Sequence, residues 1–132
     1  MSAVLDTHAA IWYLLDAKNL SETVFLLIDS AAANGSPTYI SAISLVEVVD
    51  LVERGRIAAD AYGRFAHELS LDNPAFRVAP LDSHVAEQLK SIPRAIVADM
   101  PDRIIAATAL HLGLPRVTRD RRLRQAGIAT IW

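Results

Sequence analysis

Four acids stand where apolar, strand-like runs give way to helix. Asp6 directly follows Ala3-Val4-Leu5, and Glu47 lies in the first turn or so of a helix after Thr38-Tyr39-Ile40. Asp102 falls in the first turn of a long apolar helix, and Asp120 comes just after Arg116-Val117-Thr118. If those runs are strands of one open α/β sheet, their carboxyl ends share an edge, which is where such sheets bind ligands. Carboxylates gathered at one point repel one another and require a counter-charge. A hard divalent cation such as Mg²⁺ supplies it, since it prefers carboxylate oxygens, keeps waters and bridges to substrate phosphates. Such a site suits phosphodiester hydrolysis, where one ion activates water and a second can stabilise the leaving oxygen. The sequence has no cysteine to act as a thiol nucleophile, and it shows no serine triad or glycine-rich phosphate loop.

Each acid also has a purely local reading. Ser44 and Glu47 have the spacing of a capping box. Asp99 and Asp102 resemble a cap at the positive end of the long helix, and Asp6 and Asp120 could cap the helices that follow them. Taken singly, capping is the better account of Glu47. Taken together, an acid at nearly every strand-to-helix junction of one edge is better explained by a metal site.

The elements that must carry these acids alternate along the whole chain. Helices are expected from Thr7, from a Ser21 cap, from Ser44 to about Glu53 with Gly55 as stop, over 58–71, from Asp82 to Lys90, and from Pro101 to Leu112. Strands are expected at 3–5, 38–40, 76–78, 116–118 and 128–131, with a short basic helix before the last. Strands alternating with helices imply a parallel sheet covered on both faces. A length of 132 residues suits a single domain over 1–132, and a 52% hydrophobic composition is enough for a full core without disulfides. No run approaches the roughly 18 uninterrupted apolar residues of a membrane span. The first residues lack the basic start of a signal peptide, so a soluble, cytoplasmic protein is expected.

Charge is uneven. Residues 1–60 hold three basic and eight acidic side chains, whereas residues 61–132 hold ten basic and seven acidic, so the excess of positive charge lies in the second half. It peaks at Arg116, Arg119, Arg121, Arg122 and Arg124, which reads equally as a phosphate-binding patch or a solvated helix face. His8, His67, His84 and His111 form no ligand pair at helical or strand spacing, and Trp12 reads as core.

At the acids the sequence resembles the PIN-domain nucleases, and among them the VapC-type toxins of toxin–antitoxin pairs. The segments that carry the resemblance are Leu5-Asp6-Thr7-His8 with Trp12 following, Ser44-Leu45-Val46-Glu47, the run from Met100 to Ala109, Val117-Thr118-Arg119-Asp120, and Gly127 to Trp132. Each is short, but the ordered set spans the chain. The resemblance implies a three-layer α/β/α sandwich with strand order 3-2-1-4-5. It also implies an endoribonuclease dependent on Mg²⁺ or Mn²⁺, a homodimer, and a small antitoxin that covers the acids. Asp6, Glu47, Asp102 and Asp120 match the family's acidic positions, and Asp99 matches a further acid of the subgroup. There the preceding segment is more usually His-Arg-Asp-Pro, where this chain has Val97-Ala98-Asp99-Met100. Thr7 and Thr118 match hydroxyl positions beside the cluster, able to hold carboxylates or to act as local caps. Arg103 and Arg119 are candidates for binding substrate phosphate, with ordinary ion pairing as the alternative.

Two rival enzymes use strand-end acids and Mg²⁺. A receiver-type domain wants a lysine after its fifth strand, and a haloacid-type phosphatase wants Asp-x-Asp after its first, where this chain has Asp6-Thr7-His8. A non-catalytic RNA-binding or scaffold domain of the same fold is the third alternative. It has no reason to keep repelling carboxylates together.

Overall fold

The computed structural model describes residues 2–132. Strands β1 (Val4–Leu5), β2 (Thr38–Ser41), β3 (Phe76–Ala79), β4 (Arg116–Val117) and β5 (Thr130–Ile131) form one sheet. Its order is β3-β2-β1-β4-β5, and every pairing is parallel. The order is the one the family resemblance implied. Helices α1 (Thr7–Leu15), α2 (Glu22–Ala33), α3 (Ala42–Glu53), α4 (Ala61–Ser70), α5 (Ser83–Gln88) and α6 (Met100–Leu112) cover the sheet.

The short central strand β1 shows why the sheet needs two covers. Consecutive side chains on a strand point to opposite faces. Leu5 packs with Ala10, Ile28, Phe65 and Phe76 on one side, and Val4 with Val85, Ile105 and Leu123 on the other. Both are fully buried, so β1 cannot sit at a solvent-facing surface.

Local signals fix the helix ends. Ser21 Oγ accepts from Val24 N at 3.2 Å, as a cap should. Pro101 falls in the first turn of α6, where its missing N–H costs nothing, and Gly113 closes that helix at φ +66°. Three boundaries differ from expectation. The cap of α3 is Ser41, not Ser44. The helix expected over 58–71 begins at Ala61. The stretch from Asp82 to Lys90 divides into α5 and a 3-10 turn at Leu89–Ser91.

Candidate active site

Parallel strands bring Asp6, the start of α3, the start of α6 and the end of β4 to one sheet edge. Asp6 holds the N-cap position of α1, yet its side chain accepts no backbone N–H of that helix. The carboxylate instead accepts from Arg116 Nη2 at 2.5 Å and from Thr118 Oγ1 at 3.0 Å. Asp102, in the first turn of α6, accepts from the same Arg116 Nη2 at 3.1 Å, and its backbone carbonyl accepts from Nη1 at 3.0 Å. One guanidinium therefore joins two carboxylates from helices far apart in sequence.

Arg116 is the residue of this candidate site that its place in the sequence disguises. It is neither part of an exposed basic patch nor on a solvated helix face: its side chain is 3% exposed. It pairs with Val4 in the register of β1 and β4. The available signal was its place inside an expected core strand, because a buried arginine requires acidic partners. Arg116 Nε itself is buried without a partner.

Glu47 is placed by α3. With Ser41 as the cap, Ser44 is a buried residue within the first turn, and its Oγ lies 2.8 Å from Thr7 Oγ1. The capping-box account of Glu47 therefore fails. Thr7 Oγ1 donates to Glu47 Oε1 at 2.6 Å and points it toward the same edge. Burial pushes the Glu47 pKa up; the Thr7 hydrogen bond opposes this, and the negative charges of Asp102, Asp99 and Asp6 add to the rise. The Asp102 pKa is also raised, first by burial, against the pull of Arg116 and with the help of Asp6 and Asp99.

The remaining candidates sit differently. Asp120 shares a cavity with Asp6, of about 290 Å³, but its carboxylate is engaged as a cap. It accepts from Arg122 N at 2.9 Å and from the Arg122 guanidinium at 2.7 Å, and those bonds hold its pKa down. Asp99 caps α6 by accepting from Asp102 N at 3.2 Å. Thr118 both supports Asp6 and accepts from Asp120 N at 3.1 Å. Arg103 is a correction. Its Nη2 donates to the carbonyls of Leu89 and Ile92, each at 3.1 Å, so it ties α6 to the 3-10 turn and is not available to phosphate at the acid edge. Arg119 is exposed and lines the cavity beside Asp6.

Among the described residues, no three acids or histidines are arranged as a ready-made metal cage. The physical reason is that Arg116 already bridges two of the acids and Arg122 holds a third. The donor set is nevertheless of the hard-oxygen kind that suits Mg²⁺ or Mn²⁺. Asp6, Glu47 and Asp102 set three carboxylates against one buried guanidinium, which leaves two negative charges for a divalent ion to neutralise.

A parallel sheet with carboxylates gathered at its carboxyl edge defines an open α/β domain, the class that binds ligands at that edge. The PIN domain family model matches residues 3–129, so the chain belongs to the PIN domain family. Ribonuclease VapC22 of Mycobacterium tuberculosis (strain ATCC 25618 / H37Rv) is 30% identical over 124 residues, covering 93% of this chain and 90% of the relative. The fold is also similar to VapBC2 from Rickettsia felis, solved bound to a promoter DNA fragment. That match has a TM-score of 0.75 at 14% identity, over 99% of this chain and 98% of the other. A toxin–antitoxin complex from Klebsiella pneumoniae contains a chain matching at TM-score 0.62 and 22% identity, over 98% of this chain and 96% of that one.

Proposed function

We propose that this chain, as one unit over 1–132, is a divalent-metal-dependent endoribonuclease and the toxin of a toxin–antitoxin pair. The observation that carries the reading is the convergence of Asp6 and Asp102 on one guanidinium, with Glu47 held by Thr7 close enough for the charges of both to raise its pKa. Membership of the PIN family and the relative named as a ribonuclease support the same chemistry.

Asp6, Glu47 and Asp102 would hold the ion, with Asp120 and Asp99 at the margins once released from their caps. When bound, Mg²⁺ or Mn²⁺ lowers the pKa of water and offsets the charge that develops on phosphate. The chain's own residues set the geometry. Thr7 fixes the rotamer of Glu47, and Thr118 orients Asp6. Arg116 keeps two carboxylates close that would otherwise repel.

The antitoxin is expected to lay a segment across this edge with a basic side chain toward the acids. A homodimer is expected through α3 and α4, where Val46, Val49 and Tyr62 are exposed. No helix among the described residues is long and apolar enough to cross a membrane. The decisive test is cleavage of single-stranded RNA by purified protein with Mg²⁺ or Mn²⁺. Activity should stop with EDTA and with Asp102→Asn or Asp6→Asn, both folded by circular dichroism. Cleavage undiminished in excess chelator would overturn the reading.

A further inference from the structure

The basic residues after β4 divide into two groups. Arg116 and Arg122 are spent on carboxylates. Arg119, Arg121 and Arg124 have no carboxylate partner among the described residues, although each is exposed. These three line a cavity of about 500 Å³ together with Thr118, Thr130 and Trp132. The volume suits a ligand of nucleotide size.

Arg119 forms the wall between this cavity and the one that holds Asp6 and Asp120. Its guanidinium carbon lies 4.7 Å from the Trp132 ring centroid and 5.2 Å from that of Trp12. The two indoles meet edge to face at 6.1 Å. Stacking of this kind holds a flexible arginine in one orientation at little cost in its own hydration. Trp12 is thus more than the core residue its spacing suggested. Arg124 Nε donates to Thr130 Oγ1 at 3.0 Å, which leaves its terminal nitrogens for a ligand. Thr118 belongs to both cavities and also bonds Asp6, so an occupant of the larger cavity sits one residue from the acid edge.

We propose that Arg119, Arg121, Arg124 and Trp132 form a subsite for one unstacked nucleotide of single-stranded RNA, next to the phosphodiester that is cut. The proposal rests on the nuclease reading for the identity of the strand. Guanidinium groups contact the backbone phosphate, and the indole and the Arg119 plane receive the base. Flat π surfaces beside phosphate-binding cations are what single strands use, whatever their sequence. An acidic peptide would satisfy the charges but has no need of the aromatic wall.

The chain contains two tryptophans, and both flank Arg119, so tryptophan fluorescence excited at 295 nm reports on the wall between the two cavities, and the Arg121 and Arg124 variants, which line only the larger one, assign the signal to the subsite. Hexauridylate is titrated into the wild-type protein in excess EDTA, with hexaglutamate as the competing probe. Saturable quenching by hexauridylate is expected. Arg119→Ala should weaken it about tenfold, with Arg119→Lys recovering only part of that affinity. Arg121→Gln with Arg124→Gln should flatten the salt dependence of binding by about 0.7 in log–log slope for each phosphate no longer neutralised. Quenching by hexaglutamate at equal affinity, or quenching by hexauridylate that Arg119→Ala leaves unchanged, would overturn the subsite. Metal-dependent RNA cleavage by the wild type alongside either result leaves the nuclease reading standing. Quenching with all the variant effects, but no cleavage under any divalent ion, supports the subsite and removes the nuclease reading.

Discussion

Replacing Arg116 by methionine tests how the acid edge is held together. The guanidinium makes hydrogen bonds of 2.5, 3.0 and 3.1 Å to Asp6 and Asp102. Removing one partner of a fully buried ion pair costs about 3–5 kcal/mol, because the other charge is stranded. Here the stranded groups are not fully buried: the side chains of Asp6 and Asp102 are 27% and 49% exposed. Water reaches both once the guanidinium is gone, and methionine refills much of the stem's volume. The expected destabilisation is therefore about 2 kcal/mol in metal-free protein. With an unfolding entropy of about 2.1 cal/mol/K per residue, that lowers Tm by about 7 °C. Metal binding should move the other way. A positive charge is deleted beside the donor oxygens, so Mn²⁺, measured by paramagnetic resonance of the free ion, should bind at least about tenfold more tightly. Saturating Mn²⁺ should then restore much of the Tm. Arg116→Lys should fall between the two, since it keeps the charge but not the fork. Wild-type Tm and wild-type Mn²⁺ affinity in Arg116→Met would refute the bridging role.

Glu47→Gln keeps an oxygen for the Thr7 hydroxyl and removes a carboxylate whose pKa is raised first by burial, so metal-free Tm should rise by about 2 °C while RNA cleavage drops about 100-fold or more. Near-wild-type cleavage would return Glu47 to a purely structural role. The raised pKa values of Glu47 and Asp102 mean that the native state binds more protons than the unfolded chain above the ordinary values of 4.5 and 3.8. Their contribution to stability is complete below those values and is lost as pH rises through the raised native ones, so metal-free Tm should climb on acidification across that window. Asp120, held low by Arg122, acts oppositely: its contribution is present above 3.8 and disappears as pH falls further. Added Mg²⁺ should stabilise more at pH 7 than at pH 5, and scanning calorimetry at both decides it. Arg103→Ala should cost about 2 kcal/mol by freeing two carbonyl partners yet leave Mn²⁺ affinity unchanged, which separates it from Arg116. Val46→Asp should shift the sedimentation coefficient toward the monomer if α3 forms the dimer surface.

Much of this molecule was written in periodicity and punctuation. Alternation of short β-branched runs with amphipathic helices dictated a two-sided parallel sheet, because each face of β1 had to be buried. Ser21, Pro101 and Gly113 marked helix ends through local hydrogen bonding and backbone preference, which need no distant partner. The placement of acids at nearly every strand-to-helix junction could be read because parallel strands place their carboxyl ends together. The use of each acid could not be read. Asp6 and Asp120 both occupy N-cap positions, yet one carboxylate turns to Arg116 and Thr118 while the other caps its own helix and takes Arg122. Ser41 displaced Ser44 as a cap by one turn, and that shift freed Glu47 for the edge. Arg116 looked like the first residue of a basic run, and Arg103 like a phosphate ligand. Only the tertiary fold set the first among the carboxylates of Asp6 and Asp102, and the packing of α6 on the 3-10 turn pinned the second to two carbonyls. Sequence sets which groups exist and how they are spaced along one element. Which charge meets which is settled by long-range packing, since a guanidinium on a long stem goes to whatever unsatisfied oxygens the folded chain brings within reach.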